Sequence, residues 1–143
     1  MVASRWGITP RQSIEAMCAR RGREEVIVGC IDLLEGRAVD DDFILALGGP
    51  HAQRVLDGFE GGRDGYWPRV WAARGLLHVF DPVATGAVIR AGTDDAWRVR
   101  EMAVKVVAAH RVDDAVEAVA GLLNDPVARV RRAAERALTR LVG

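Results

Sequence analysis

The feature that most restricts what this chain can fold into is an internal repeat of 31 residues. Sliding the sequence against itself by 31 places superposes Ala84 on Ala115, Ala87 on Ala118, Val88 on Val119, Asp94 on Asp125, Arg98 on Arg129, Val99 on Val130, Arg100 on Arg131 and Ala103 on Ala134. One further step back pairs Asp64 with Asp95, Tyr66 with Trp97, Arg69 with Arg100 and Ala72 with Ala103, so a third copy begins before the clean pair. A period of this size marks a stacked architecture: each unit is too small to bury its own apolar face and is completed by its neighbours.

Each unit reads as a short helix, a turn with aspartate, and a longer second helix. Helices are expected at about 67 to 79, 82 to 91, 95 to 109, 113 to 123 and 126 to 141, with Asp81-Pro82 and Asp125-Pro126 as cap-plus-proline starts. Asp94 and Asp125 lie just ahead of the apolar period and are expected to cap the second helices. The small residues Ala72, Ala103 and Ala134 fall where adjacent units must approach closely. Val99, Val106 and Val107, like Val130, Ala137 and Leu138, form the expected buried stripe, and Trp71, which aligns with Met102 and Ala133 in the repeat register, is expected in the core as they are. Arg69, Arg100 and Arg131 recur in register and read as a structural ladder that reaches an aspartate in a neighbouring turn.

The preceding residues are helical but less regular. Thr9-Pro10 opens a helix that carries Ile14, Met17 and Cys18 and stops at Gly22; a second runs from about Arg23 to Glu35. Asp40, Asp41 and Asp42 suit a helix start, since carboxylates complement the positive end of the dipole, and the piece ends at Gly48-Gly49. Pro50 begins a short helix through Leu56. The stretch holding Gly58, Gly61, Gly62 and Gly65 is the expected flexible joint. The organisation that follows is residues 1–58 as an N-terminal helical part, 59–65 as a glycine-rich connection and 66–143 as regular repeats, all in one compact domain.

Composition narrows the function classes. At 143 residues and 50 % hydrophobic the chain has material for a core, which argues against disorder. Net charge is zero, yet residues 1–65 hold 8 Arg against 11 acidic residues and 66–143 hold 12 Lys and Arg against 9. That asymmetry is small beside the balance of a dedicated nucleic-acid binder. All basic residues but Lys105 are arginine, as a GC-rich bacterial coding sequence would give. The first residues hold no signal-like apolar core and no run suits a membrane span, so a cytoplasmic chain without membrane contact is expected. Cys18 and Cys30 fit neither a metal spacing nor a disulfide framework and are expected as reduced thiols in helices.

Asp94 through Val107 (DDAWRVREMAVKVV) and Asp125 through Leu138 (DPVARVRRAAERAL) resemble the D-x-x-x-x-V-R-x-x-A-x-x-A/V-L signature of HEAT-like repeats. The second copy fits closely and the first nearly as well. The resemblance is good over 81–143, fair over 50–80 and architectural before that. It implies an all-α fold, a short right-handed solenoid of stacked helix pairs with about eight or nine helices and no sheet. It also implies that the second helices line a concave face. On the last of these, Arg129, Arg132, Arg136 and Arg140 make a basic stripe; one unit back the positions hold Arg98, Glu101, Lys105 and Ala109, and two units back Trp67, Val70, Arg74 and His78.

Two readings of that stripe stand side by side: the wet face of amphipathic helices, or recognition of an acidic partner by guanidinium groups in rows. The expected partner-binding residues are Trp67, Arg74, Arg98, Lys105, Arg129, Arg132, Arg136 and Arg140, and the expected function is a non-catalytic adaptor holding a protein segment. Some HEAT-like proteins are DNA glycosylases, and Trp67, Trp97, Glu101 and the arginines supply similar residue types, so nucleic-acid binding is the alternative. Homo-oligomeric assembly is another, because Leu138, Leu141 and Val142 could pair with a second copy. No catalytic residues, cofactor or metal are expected. Ser4 and Ser13 lie outside any nucleophile motif, there is no phosphate-cradling loop, and His51, His78 and His110 are far apart in sequence.

Overall fold

In the computed structural model, which describes residues 8–143, the first helix signal takes the form of a full capping box. The Thr9 hydroxyl accepts from the Gln12 N–H and the Gln12 side chain accepts from the Thr9 N–H, ahead of helix α1 (Pro10–Arg21). Helix α2 (Arg23–Leu34) opens on Glu24 and Glu25. Helix α3 (Asp41–Gly48) is capped by Asp40, whose carboxylate accepts from the Phe43 N–H at 2.8 Å. Arg21 adds two hydrogen bonds to the same carboxylate, and that pair, with the Phe43 N–H, holds the Asp40 pKa down at about 2. Helix α4 (Pro50–Leu56) and a 3₁₀ segment (Phe59–Asp64) lead to α5 (Trp67–His78). The remaining helices are α6 (Thr85–Ala91), α7 (Trp97–His110), α8 (Val116–Gly121) and α9 (Ala128–Val142), with 3₁₀ turns at Pro82–Ala84, Asp113–Ala115 and Leu122–Asn124. No strand occurs among the described residues.

The chain divides into two compact units, Met1–Val79 and Phe80–Gly143. In the first, α2 packs along α5, and α1 and α3 each contact α5. Its core joins Met17, Val26, Ile27, Phe43, Ile44, Trp71 and Leu76, all nearly inaccessible to water. Two glycines make room for the aromatic rings. A Cβ on Gly29 would lie 2.5 Å from Phe43 Cζ, and one on Gly48 would lie 2.7 Å from the Trp71 ring. The glycine-rich stretch is tied back to its surroundings: Glu60 takes a left-handed conformation (φ 54°), its carboxylate meets His51 Nε2 at 2.6 Å, and Arg63 pairs with Asp41. Burial pushes the Cys30 thiol up to about 12, whereas Cys18 is half-buried.

The second unit is two helix pairs, α6 with α7 and α8 with α9, in which α7 and α9 form the most extensive contact. Its core is built from small residues: Ala84, Ala87 and Val88 from α6 and the turn before it, Val99, Ala103, Val104, Val106 and Val107 from α7, and Val130, Ala133, Ala134 and Ala137 from α9. Alanines at the crossing allow backbones to approach, which is why the repeat keeps Ala103 and Ala134. Met102 and Leu138, expected inside, are half-buried.

The aspartates act one step earlier than the sequence pattern suggests. Helix α7 begins at Trp97 with Ala96 as its N-cap, and α9 at Ala128 with Val127 as its N-cap. Asp94 and Asp125 accept from the N–H groups of Ala96 and Val127, each at 2.9 Å, so they close the turn that delivers the chain to the helix rather than capping it. The proline at 126 occupies this turn, ahead of the helix proper.

The arginine ladder joins the two pairs. Arg100 Nε and Nη2 donate to the two carboxylate oxygens of Asp125 at 2.8 and 3.1 Å, while Nη1 donates to the Asp94 carbonyl. The side chains are 13 % and 3 % exposed. Burial alone would raise the Asp125 pKa, but the Arg100 hydrogen bonds, the Val127 N–H and the nearby guanidinium charges together hold it below the ordinary carboxylate range.

Three outcomes follow. Asp125→Ala leaves Arg100 buried without its partner and should cost about 3 kcal/mol, read by chemical denaturation. The wild-type contribution of Asp125 is present above about pH 4, where an unfolded aspartate is ionised, and is lost as pH falls below that; the Asp125→Ala stability profile should flatten in that range. In the first unit, Gly29→Ala forces its methyl against the buried Phe43 ring and should destabilise by about 2 kcal/mol in the same assay.

Candidate functional site

Helices α7 and α9 begin against the usual electrostatic preference. Neither has an acidic residue in its first turn, and α7 places Arg98 there while α9 places Arg129, cations at the positive end of the helix dipole. Helices α2 and α3 instead begin with Glu24 and Glu25, and with Asp41 and Asp42. Arg98 and Arg129 are thus not placed to stabilise their own helices, whereas Arg140, in the last turn of α9, is.

They converge on one face of the second unit. Positions 98, 101 and 105 of α7 and 129, 132, 136 and 140 of α9 recur at three- and four-residue spacing, so each set forms one stripe. The two stripes adjoin. Arg129 Nε donates to Glu101 Oε2 at 3.1 Å, and Arg140 Nε donates to the Ala108 carbonyl at 3.0 Å, satisfying an acceptor near the C-terminus of α7. The Trp97 ring lies under two guanidinium groups, Arg98 at 4.4 Å and Arg129 at 5.3 Å from its centroid. These contacts hold Arg98 and Arg129 in place.

Charge is partitioned sharply within this unit. Residues 80–143 carry ten Lys and Arg and nine Asp and Glu, yet this face gathers six of the cations, Arg98, Lys105, Arg129, Arg132, Arg136 and Arg140, and one carboxylate, Glu101. Glu101 is nearly buried, its side chain 9 % exposed, with Lys105 Nζ at 3.8 Å besides Arg129. Arg132 and Arg136 are exposed and have no hydrogen-bond or ion-pair partner among the described residues. Asp81, Asp94, Asp95, Asp113, Asp114 and Asp125 fall in turns, Glu117 lies on α8, and Glu135 lies on α9 three residues after Arg132.

Trp67 and Arg74 lie in the first unit. Trp67 stacks on Trp71 with centroids 6.2 Å apart and meets the edge of His51, while Tyr66 leans on its other side. Trp67 also hydrogen-bonds the Glu60 carboxylate; together with the stronger His51 contact this lowers the Glu60 pKa. Arg74 is half-buried, and its Nη2 donates to the Leu47 carbonyl at 2.8 Å, near the C-terminus of α3. Burial lowers the Arg74 pKa. The sequence pattern does not foretell the His51, Glu60, Trp67 and Trp71 cluster, because it depends on left-handed residues at 58 and 60–62 that turn Glu60 back toward α4. The bridging role of Glu101 was also missed, although its spacing four residues before Lys105 is a visible signal.

No group of three or more His, Cys, Asp or Glu residues that could hold a metal occurs among the described residues, and no described helix is long and apolar enough to cross a membrane.

No curated protein and no solved structure matches this chain. The family model for HEAT repeats matches residues 63–139, more than half of the chain and the whole of the span that carries α6 through most of α9. HEAT repeats serve in general as protein-interaction scaffolds and are generally non-catalytic. The repeat register, the all-helical fold of the described residues and this match agree: the chain belongs to the HEAT-repeat family.

Proposed function

We propose that this protein is a non-catalytic adaptor that holds an acidic segment of a protein partner on the face formed by α7 and α9. The observation that carries the reading is the concentration of six cations against one carboxylate on that face, with Arg132 and Arg136 exposed and unpaired. Arg98 and Arg129 are held by Trp97 and Glu101, so they lose little freedom on meeting a carboxylate. Guanidinium groups suit carboxylates in a bidentate manner, and rows of them along a helix suit a segment with acidic residues at helical or extended spacing. Their place at helix starts, where they oppose the dipole, is what a surface shaped for binding at some expense of stability would carry. Trp67 and Arg74, which lie in the first unit, are proposed as partner-contacting residues of that unit.

A nucleic-acid partner would use the same guanidinium groups, with Trp97 as a stacking platform. The near balance of charge in residues 80–143, ten cations against nine carboxylates, favours the protein segment, since phosphate binding relies on a large cationic excess.

The test is binding of a fluorescent peptide of alternating glutamate and leucine, beside labelled duplex DNA, to the wild type and to Arg132→Glu/Arg136→Glu. The wild type should bind the peptide, and the charge-reversed protein should bind at least about tenfold more weakly while keeping its circular dichroism. Equal peptide affinity in the two proteins, or tighter binding of duplex DNA than of peptide at physiological salt, would overturn the reading.

A further inference from the structure

A different stripe of α9 is also unpartnered, and its chemistry is self-complementary. Within the second unit, Arg100 spends all three of its donor nitrogens: Nη1 on the carbonyls of Asp94 and Asp95, Nε and Nη2 on Asp125. Arg131, its counterpart 31 residues on, repeats half of this arrangement. Its Nη1 donates to the Asp125 carbonyl at 2.7 Å, but Nε and Nη2, the edge that would grip a carboxylate, have no hydrogen-bond partner among the described residues.

The surroundings of Arg131 differ from those of Arg100 in the same sense. On α7 the residues four and seven places after the arginine are Val104 and Val107, 1 % and 2 % exposed, and they lie beside Val88 of α6 and Val119 of α8. On α9 the corresponding residues are Glu135, exposed, and Leu138, half-buried; one further turn brings Val142, 77 % exposed. Positions 131, 135, 138 and 142 form one stripe, roughly 130° around the helix from the basic stripe of Arg129, Arg132, Arg136 and Arg140. It carries one cation and one carboxylate four residues apart, flanked by apolar groups. Although this spacing allows an ion pair within the helix, Arg131 and Glu135 form none.

We propose that this stripe is the interface of a two-fold homodimer, in which the α9 helices of two copies pack antiparallel. In an isologous contact, if residue i meets j of the second copy, then j meets i. An antiparallel pairing centred between residues 131 and 135 sets Arg131 of each copy against Glu135 of the other. The free edge of each guanidinium then receives the carboxylate that Asp125 supplies to Arg100. The same register brings each Leu138 beside the small Ala128 of the second copy, which leaves room for the isobutyl group. The commitment to a second copy rests on this reciprocity: a stripe with opposite charges one turn apart complements itself only when reversed. The proposal is independent of the acidic-partner reading, since it uses none of the six cations of that face.

Sedimentation equilibrium of the full chain from micromolar to millimolar concentration tests it, with three variants. Glu135→Arg sets arginine against arginine twice and should raise the dimer dissociation constant about tenfold or more, whereas Arg131→Glu/Glu135→Arg restores opposite charges and should return it to within about threefold of wild type. Circular dichroism of each variant separates loss of association from loss of fold, and Glu135→Arg alters only an exposed side chain. Arg132→Glu/Arg136→Glu should leave the dissociation constant unchanged. A strict monomer at millimolar concentration, a dimer indifferent to Glu135→Arg, or a double variant as weak as the single one would each overturn the proposal.

Discussion

The second unit depends on one buried ion pair. Arg100 and Asp125 lie in successive repeats and share two hydrogen bonds. Asp125 simultaneously closes the turn into α9 through the Val127 N–H and offers its carbonyl to Arg131. One carboxylate therefore fixes where α9 begins, how α9 sits on α7, and where the next guanidinium lies. A core of alanine and valine has little shape of its own with which to set a register. The ladder supplies the direction that small apolar residues lack.

That division of labour frees the remaining surface of α7 and α9. Packing relies on Val99, Ala103, Val130 and Ala134 and registration on Arg100 and Asp125, with Arg129 and Arg140 adding ties from α9 to Glu101 and the Ala108 carbonyl, so Arg132 and Arg136 are left without a structural task. Other members of the basic stripe are held. Trp97 supports Arg98 and Arg129, and Glu101 bridges the two helices beneath them. The result is a graded surface, with fixed cations at the helix starts and free ones, Arg132 and Arg136, further along α9. Such a surface combines preorganised contacts with adaptable ones. It also explains why arginine rather than lysine fits these positions, since only a planar guanidinium both lies over an indole and donates at its edge.

Much of this was legible because the repeat is written in residues whose roles are local. The 31-residue register placed α6 through α9, the close-approach alanines and the ladder, and the predicted reach of Arg100 toward an aspartate in a neighbouring turn is what the structure contains. The aspartates were misplaced by one step: sequence alone does not distinguish a carboxylate that caps a helix from one that closes the turn before it. Leu138 was expected inside because its counterpart Val107 is inside. Identity of register does not ensure identity of cover. In the first unit, cap residues, prolines and glycine stops marked α1 through α4, whereas the cluster of His51, Glu60, Trp67 and Trp71 depends on a run of left-handed residues that no periodicity announces. Membership of the HEAT-repeat family followed from the repeats themselves.

The central claim is that this face is a recognition surface rather than a solvated one. Arginine side chains report on it individually through their Nε–Hε resonances, so the most direct measurement is a side-chain NMR titration of the isotopically labelled full chain with the alternating glutamate and leucine peptide. Saturable shifts confined to Arg98, Arg129, Arg132, Arg136 and Arg140, with Arg100 unmoved in its pair with Asp125, are the predicted result. Shifts spread evenly over all arginines, or the absence of saturation at low salt, would contradict it.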